Sequence, residues 1–481
     1  MNFHVPGTLP AGGAFALEHA QFVGGYDRSP FPTRVERRPG ILALTKAQNE
    51  SCSVSAPWPL AGLGFPVSTT ATLREKAEPY HLLVELARGK LNQLRNAVAE
   101  LQMQGLEPSV DVRRESQAAV RLLAAAALQT EPGAGDADAT AALAHCHAGS
   151  QALIRQFTAT AIELRTQGGQ RIPMRWACRV ASVPTPEQTA TFVDAFSHVV
   201  LVPDWAALEV ASTKYDWAKL DDLVDWAHTN GFQPTIGPLI DFGEPLPGWL
   251  DGWEGELPSL SAFFSDFVES VVHRYGSKIK NWILCSGFNH TSRYSVSEDD
   301  RLRLVGRLLE LARTLDPDAK WTIGLAQPWG DYLGTGDHTY SPLVFADTLL
   351  RSGLPIGGFE LEIFAGDDDR ASLLRDGLDT VRLLDLFGLL GIPIDVVARH
   401  PGRAATAAPA DPVSLSKCWS ARDDVAAQAA WGESVAALSL CYAHIRSFTW
   451  GAWAGDHGLI ASDGQSKPLL EPLKAHRGRC S

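Results

Sequence analysis

The stretch His273-Arg-Tyr-Gly-Ser-Lys-Ile-Lys-Asn-Trp-Ile-Leu-Cys-Ser-Gly-Phe-Asn289 reads as the end of a helix, a turn and a buried strand that delivers polar residues to a mouth. Trp282-Ile283-Leu284-Cys285 is the kind of apolar run that a strand covered on both faces requires. The pattern repeats on either side. After Gly168-Gly169 strand and helix alternate to the end of the chain, which implies parallel strands joined by crossover helices. Strands are predicted at about 173–180, 198–203, 233–240, 280–286, 320–326, 357–363, 392–398 and 446–450. Helices are predicted at about 185–196, 216–230, 259–275, 297–315, 341–352, 374–390, 423–441 and 467–475. Eight of each make a (β/α)8 TIM barrel, an α/β fold, over 169–481. The alternative, a doubly wound sheet, needs a glycine-rich phosphate turn after an early strand, and no G-x-G-x-x-G occurs.

A barrel of about 250 residues leaves much of the 481-residue chain in front of it. Residues 1–75 are short extended runs broken by Gly, Pro and Ser, such as Phe22-Val23-Gly24-Gly25 and Ile41-Leu42-Ala43-Leu44 after a Pro39-Gly40 turn. They read as a small β-sandwich, either a packing module or a lectin-like one. Over 76–168 the period changes to that of helices. Leu82, Leu83, Leu86, Leu91, Leu94, Val98 and Leu101 recur at three- and four-residue steps, and the run stops at Gly105. A second helix is expected at about 116–128, and a third, Ala-rich one up to about 165. His145 and His147 lie two apart on that third helix and so on different faces, which suits solvated or capping roles better than metal ligation.

The formal charge of −13 argues against a phosphate-backbone partner, so nucleic acid is excluded. Seven scattered cysteines without a C-x-x-C pair suggest neither a disulfide frame nor a zinc site, and no metal or cofactor is expected. The N-terminus lacks a basic segment followed by an apolar run, and no stretch approaches a membrane span. A cytoplasmic protein with no membrane partner is the expectation; oligomeric state is not legible.

Four further places carry a resemblance. Tyr215-Asp-Trp-Ala-Lys-Leu-Asp-Asp-Leu-Val-Asp-Trp-Ala-His-Thr-Asn-Gly231, Pro245-Leu-Pro-Gly-Trp249-Leu250, Leu354-Pro-Ile-Gly-Gly-Phe-Glu-Leu-Glu362, and Phe448-Thr-Trp450-Gly451 with Lys467-Pro468 occur in that order. Together with the opening stretch, they resemble the family-10 glycoside hydrolases (xylanases) over about 200–480. The resemblance implies a barrel that acts on a carbohydrate or glycoside. It also implies departures at the chemistry. Gly287 stands where the family's acid/base Glu is expected, Ala398 where the nucleophile is expected, and Pro238 near a sugar-contacting His.

In such barrels function gathers at the C-terminal ends of the strands. Glu360 and Glu362 lie two apart on the sixth strand and point inward if Leu361 and Ile363 face the helices. Buried carboxylates need partners. Either Arg or backbone donors neutralise this pair, or like charge raises a pKa and leaves Glu362 able to bind or protonate substrate. Asp241 ends the third strand and is either a turn cap or the ionised partner of Glu362. The pair would be retaining at about 5–5.5 Å and inverting at about 6.5–9.5 Å. The catalytic candidates are therefore Glu362, Asp241 and Glu360. Trp249 and Trp253 follow strand three; Gln327, Trp329 and Asp331 follow strand five; Trp450 and Asp456 lie at strand eight. Tryptophan faces beside amides and carboxylates suit a pyranose, although some of these rings are expected to be core plugs. Asn289, His290 and Arg293 follow strand four and line the same mouth or a solvated loop. The reading is a glycoside-hydrolase-like protein that cleaves a glycosidic bond with a relocated acid pair. The alternative is a non-catalytic carbohydrate-binding pseudoenzyme.

Overall fold

The computed structural model describes residues 1–47, 51–290, 293–366, 368–404 and 417–481. Two four-stranded sheets open the chain, one ordered Arg34–Arg38, Ile41–Thr45, Asn2–His4, Tyr80–His81 and the other Ser29–Pro30, Gln21–Gly24, Ser53–Pro57, Val67–Thr69. Phe3, Phe22, Leu42, Leu44, Val54 and Trp58 fill their core, with Leu82, Leu83 and Leu86 of the first long helix packed against them. The helices that follow are Leu82–Met103, Val110–Ala127 and Asp136–Arg165. The second starts earlier than its apolar period suggests. Ser109 caps it, its Oγ accepting the Val112 N–H at 3.3 Å, and the polar residues Asp111, Arg113, Arg114 and Glu115 flank buried Val112 in its first turns.

The barrel strands are Arg175–Val180, His198–Leu201, a split third strand, Asn281–Ser286, Lys320–Leu325, Gly358–Phe364, Ile394–Arg399 and Ile445–Trp450. They are numbered one to eight below. All neighbours are parallel, and strand eight pairs back onto strand one with Phe448 opposite Trp176, so the barrel is closed. Strand three is Thr235–Ile236 plus Ile240–Asp241. Pro238 between the pieces has no N–H to give the ladder. Gly237 N–H still reaches Leu201 O at 3.0 Å and Leu239 N–H reaches Ile283 O at 2.9 Å, so each neighbour is held. Among the described residues, eight outer helices follow the strands, Pro186–Ala195, Ala218–Thr229, Leu257–Tyr275, Glu298–Leu315, Pro342–Arg351, Gly377–Gly388, Val425–Ser439 and Leu470–Arg477. Five of them begin at side-chain caps, namely Thr185, Ser297, Ser341, Asp376 and Asp424.

A buried polar node joins the three parts of the chain. Lys90 Nζ lies 2.6 Å from Asp376 Oδ2, His147 Nδ1 lies 3.1 Å from the same oxygen, and Ser68 Oγ lies 2.8 Å from His147 Nε2. All four side chains are essentially inaccessible. His147 is thus neither solvated nor a helix cap; it ties the sheet to the barrel. His145 pairs with Glu115 at 2.7 Å.

Candidate functional site

Strand six alternates as its sequence requires. Phe359, Leu361 and Ile363 enter the core beneath the helices, while Glu360 and Glu362 point into the barrel. Each inward carboxylate has its own arginine. Arg179 of strand one meets Glu360 at 2.5 Å. Arg370, from the loop after strand six, folds over the barrel centre and donates through Nε to Glu362 Oε2 at 2.7 Å and through Nη2 to Glu362 Oε1. Its Nη1 binds Asp241, and its Nη2 reaches Ser286 Oγ at 2.8 Å. Ser286 Oγ in turn donates to Glu362 Oε1 at 2.5 Å. Arg370 passes so close to the chain that a Cβ on Gly243 would lie 2.1 Å from its Cδ, a contact only glycine allows.

This geometry corrects the acid-pair expectation. Glu362 and Asp241 do not face each other across an open gap; one guanidinium occupies the space between them and pairs with both. Glu360 and Glu362 are two separate ion pairs rather than a carboxylate couple. Burial pushes the Glu360 carboxyl up, against the pull of Arg179. Burial pulls the Arg370 guanidinium down, and Asp241 opposes that. Asp241 also takes the turn-cap role, its Oδ1 accepting Gly243 N–H at 2.9 Å.

Above this clamp lies a cavity of about 990 Å³, lined by Phe242, Gly287, His290, Gln327, Asp331 and Arg370 among others. A second lobe of about 850 Å³, lined by Arg179, Val202, Trp205, Asp241, Trp453 and Asp456 among others, adjoins it. Glu244, Arg399 and His457 line both, so the two lobes meet at these side chains. Loss of water around it and the charge of Asp241 push the Glu244 carboxyl up, while Arg399 opposes. Arg399 holds Asp368 in an ion pair. Burial pulls His290 down to about 4, so its ring is neutral near pH 7.

Of the expected sugar contacts, Gln327, Asp331 and His290 line the first lobe and Asp456 the second. Asp331 is held by Arg375 at 2.5 Å and by Leu373 N–H at 2.9 Å. The other candidates lie elsewhere. Asn289 is a buried staple between the ends of strands four and five, its Nδ2 donating to Ala326 O at 2.8 Å and its Oδ1 accepting Ala326 N–H at 3.0 Å. Trp249 and Trp253 pack edge-on against Phe263, outside the cavity lining. Trp329 sits at the seam with the N-terminal sheet beside Ser29 and Pro30, its ring under Arg375. Trp450 is fully buried, its Nε1 bonded to His457 O at 3.0 Å. The Arg293 side chain lies outside the described residues. Ala398 belongs to the core-facing side of strand seven; Arg399, one residue on, is the side chain that reaches the mouth. Arg370, Arg399 and Glu244 were not among the sequence candidates. For Arg370 a signal existed: two inward carboxylates demand a cation. Nothing in the order of residues said which arginine would supply it.

The sequence profile of glycosyl hydrolase family 10 matches residues 178–323. A family-10 glycoside hydrolase structure from Paenibacillus barcinonensis aligns with a TM-score of 0.50 and 15% identity, over 66% of this chain and 96% of that one. Xylanase 10B from Thermotoga maritima gives 0.48 and 14%, over 64% of this chain and 95% of that one. Xylanase 10B from Thermotoga petrophila, in complex with xylobiose, gives 0.47 and 14%, over 67% and 96%. At these identities the likeness is one of fold. This chain therefore carries a family-10 glycoside-hydrolase-like (β/α)8 barrel.

Proposed function

We propose that this protein holds a carbohydrate in the two-lobed cleft and does not cleave it through Asp241 and Glu362. The observation that carries the reading is Arg370, bound to both of those carboxylates at once. Glycoside hydrolysis needs one carboxyl free to give a proton and a second free to attack or to activate water. A carboxylate engaged by a guanidinium has its lone pairs committed. Any bond placed between Asp241 and Glu362 would have to displace Arg370. The two family positions give no substitute. By the resemblance, Gly287 holds the acid/base place, and the mouth-facing end of strand seven carries the cation Arg399. Polar walls with a few aromatic rings suit a hydroxyl-rich ligand.

Calorimetric titration with xylopentaose, run beside a reducing-end assay on the same mixture, tests the reading. Heat of binding without new reducing ends is expected; turnover by the unaltered protein that is lost in Glu362→Gln and in Asp241→Asn would refute it. One observation favours a second reading, a hydrolase that uses another acid. Glu244, whose carboxyl is pushed up by burial, lines both lobes. Under that reading, Glu244→Gln abolishes any turnover found.

A further inference from the structure

The larger lobe is not made by barrel loops alone. His19 and Gln21 of the N-terminal sheets line it together with Asp331, Tyr332 and Arg370 of the barrel. Gln21 opens the strand Gln21–Gly24, paired with Ser55; Phe22 N–H of that strand donates to Thr33 Oγ1 at 3.0 Å, and Thr33 N–H donates to Gly334 O, in the loop after barrel strand five, at 3.1 Å. The Gln21 amide lies against that loop, since a Cβ on Gly334 would fall 2.2 Å from its Oε1. On the barrel side Gln327 is held by its Nε2, which donates to Asp369 O at 2.6 Å. Both glutamines are 7% exposed. Among the described residues, Gln21 Nε2 and Gln327 Oε1 have no hydrogen-bond partner. A buried amide left unpaired is costly and rare, and here two such ends, from two parts of the chain, belong to side chains that line one cavity.

We infer that the N-terminal sandwich is a wall of the ligand site, and that Gln21 and Gln327 bind hydroxyl groups of a neutral sugar held between it and the barrel. A hydroxyl both donates and accepts, so it satisfies an amide whichever way that amide is turned. A purely anionic ligand could satisfy only the N–H end. The inference rests on the carbohydrate reading above and adds to it the module that completes the site.

The test uses the full chain, a panel of neutral xylo-, cello- and manno-oligosaccharides, and the near-isosteric substitutions Gln21→Met and Gln327→Met, with Gln21→Leu in reserve. Calorimetry gives affinity, and thermal unfolding without ligand gives stability. Each substitution is expected to weaken binding about fivefold, the loss of one neutral hydrogen bond. Gln21→Met should not lower the unfolding temperature, because an apolar isostere replaces an unpaired polar group; Gln327→Met also gives up the bond to Asp369 O and should lower it slightly. If Gln327→Met weakens binding and Gln21→Met does not, the sandwich is no part of the site, and the carbohydrate reading stands without this inference. If Gln21→Met lowers the unfolding temperature and leaves affinity unchanged, the amide is structural and the inference falls. If the unaltered protein binds no member of the panel, the carbohydrate reading fails first and takes the inference with it.

Discussion

Arg370 decides what the centre of the barrel can do. Its guanidinium offers donors in a fixed fork, and the structure uses them on Glu362, Asp241 and Ser286. Removing one partner of a buried ion pair strands the other charge, at a cost of about 3–5 kcal/mol. Arg370→Met is therefore expected to lower urea-unfolding stability at neutral pH by about that much, and a change below about 1 kcal/mol would mean that solvent already screens the pair. Ala398 gives a second prediction. Its side chain is fully buried on the core side of strand seven, so Ala398→Glu would place a carboxylate among apolar groups instead of restoring a nucleophile. A loss of more than about 3 kcal/mol is expected, with no gain of xylan turnover; soluble, stable and active protein would show that the strand faces the other way. Gly287 has φ +79°, a backbone that other residues adopt only with strain, so Gly287→Glu carries its own cost of about 1–2 kcal/mol.

At the scale of elements, the helix Gly377–Gly388 is held at its start by more than its own cap. Asp376 Oδ1 accepts the N–H of Leu378 at 3.1 Å, while its Oδ2 meets Lys90 and His147 from two helices of the preceding segment. The connection Ser68–His147–Asp376 has the order of a nucleophilic triad. Ser68 is only 2% exposed, and Lys90 occupies the carboxylate, so no substrate reaches it and the group is structural. Lys90→Met is expected to cost about 3–5 kcal/mol by leaving Asp376 buried and unpaired. Because Ser68 lies on the strand Val67–Thr69, amide hydrogen exchange in that strand should quicken along with the start of the barrel helix. Quickening in only one of the two would show that the node does not join them.

For the whole molecule, pH stability follows from its histidines. Burial pulls His198, His290, His400 and His476 each down to about 4. In the unfolded chain they titrate near 6.5. Between those values the unfolded state binds protons that the folded state refuses, so stability falls as pH drops from about 6.5 toward 4. Asp136, Glu244, Glu360 and Asp385, all pushed up, act in the opposite sense as pH falls, but His147, His338 and His444 are pulled down as well and add to the four. Urea midpoints measured from pH 7 to pH 4.5 are expected to fall steadily, and a flat profile would rule the assignment out.

The alternation of strand and helix was legible in the sequence because periodicity is a local property. The apolar runs of strands four to eight and the inward pair Glu360 and Glu362 follow from residues a few positions apart. The resemblance to the family-10 barrel was carried by such local motifs too. The partners of those residues were not legible. Glu362 meets Asp241 through an arginine 129 residues beyond that aspartate, and Asp376 meets His147 across 229 positions. Trp450 and Trp329 are equally aromatic whether they stack on a sugar or plug a seam, and the fold alone chose the seam and the core. By itself the sequence determined where the barrel strands lie along the chain and that Glu360 and Glu362 point inward. Only the tertiary structure decided which charges cancel, because ion pairing depends on distances between segments that the order of residues does not encode.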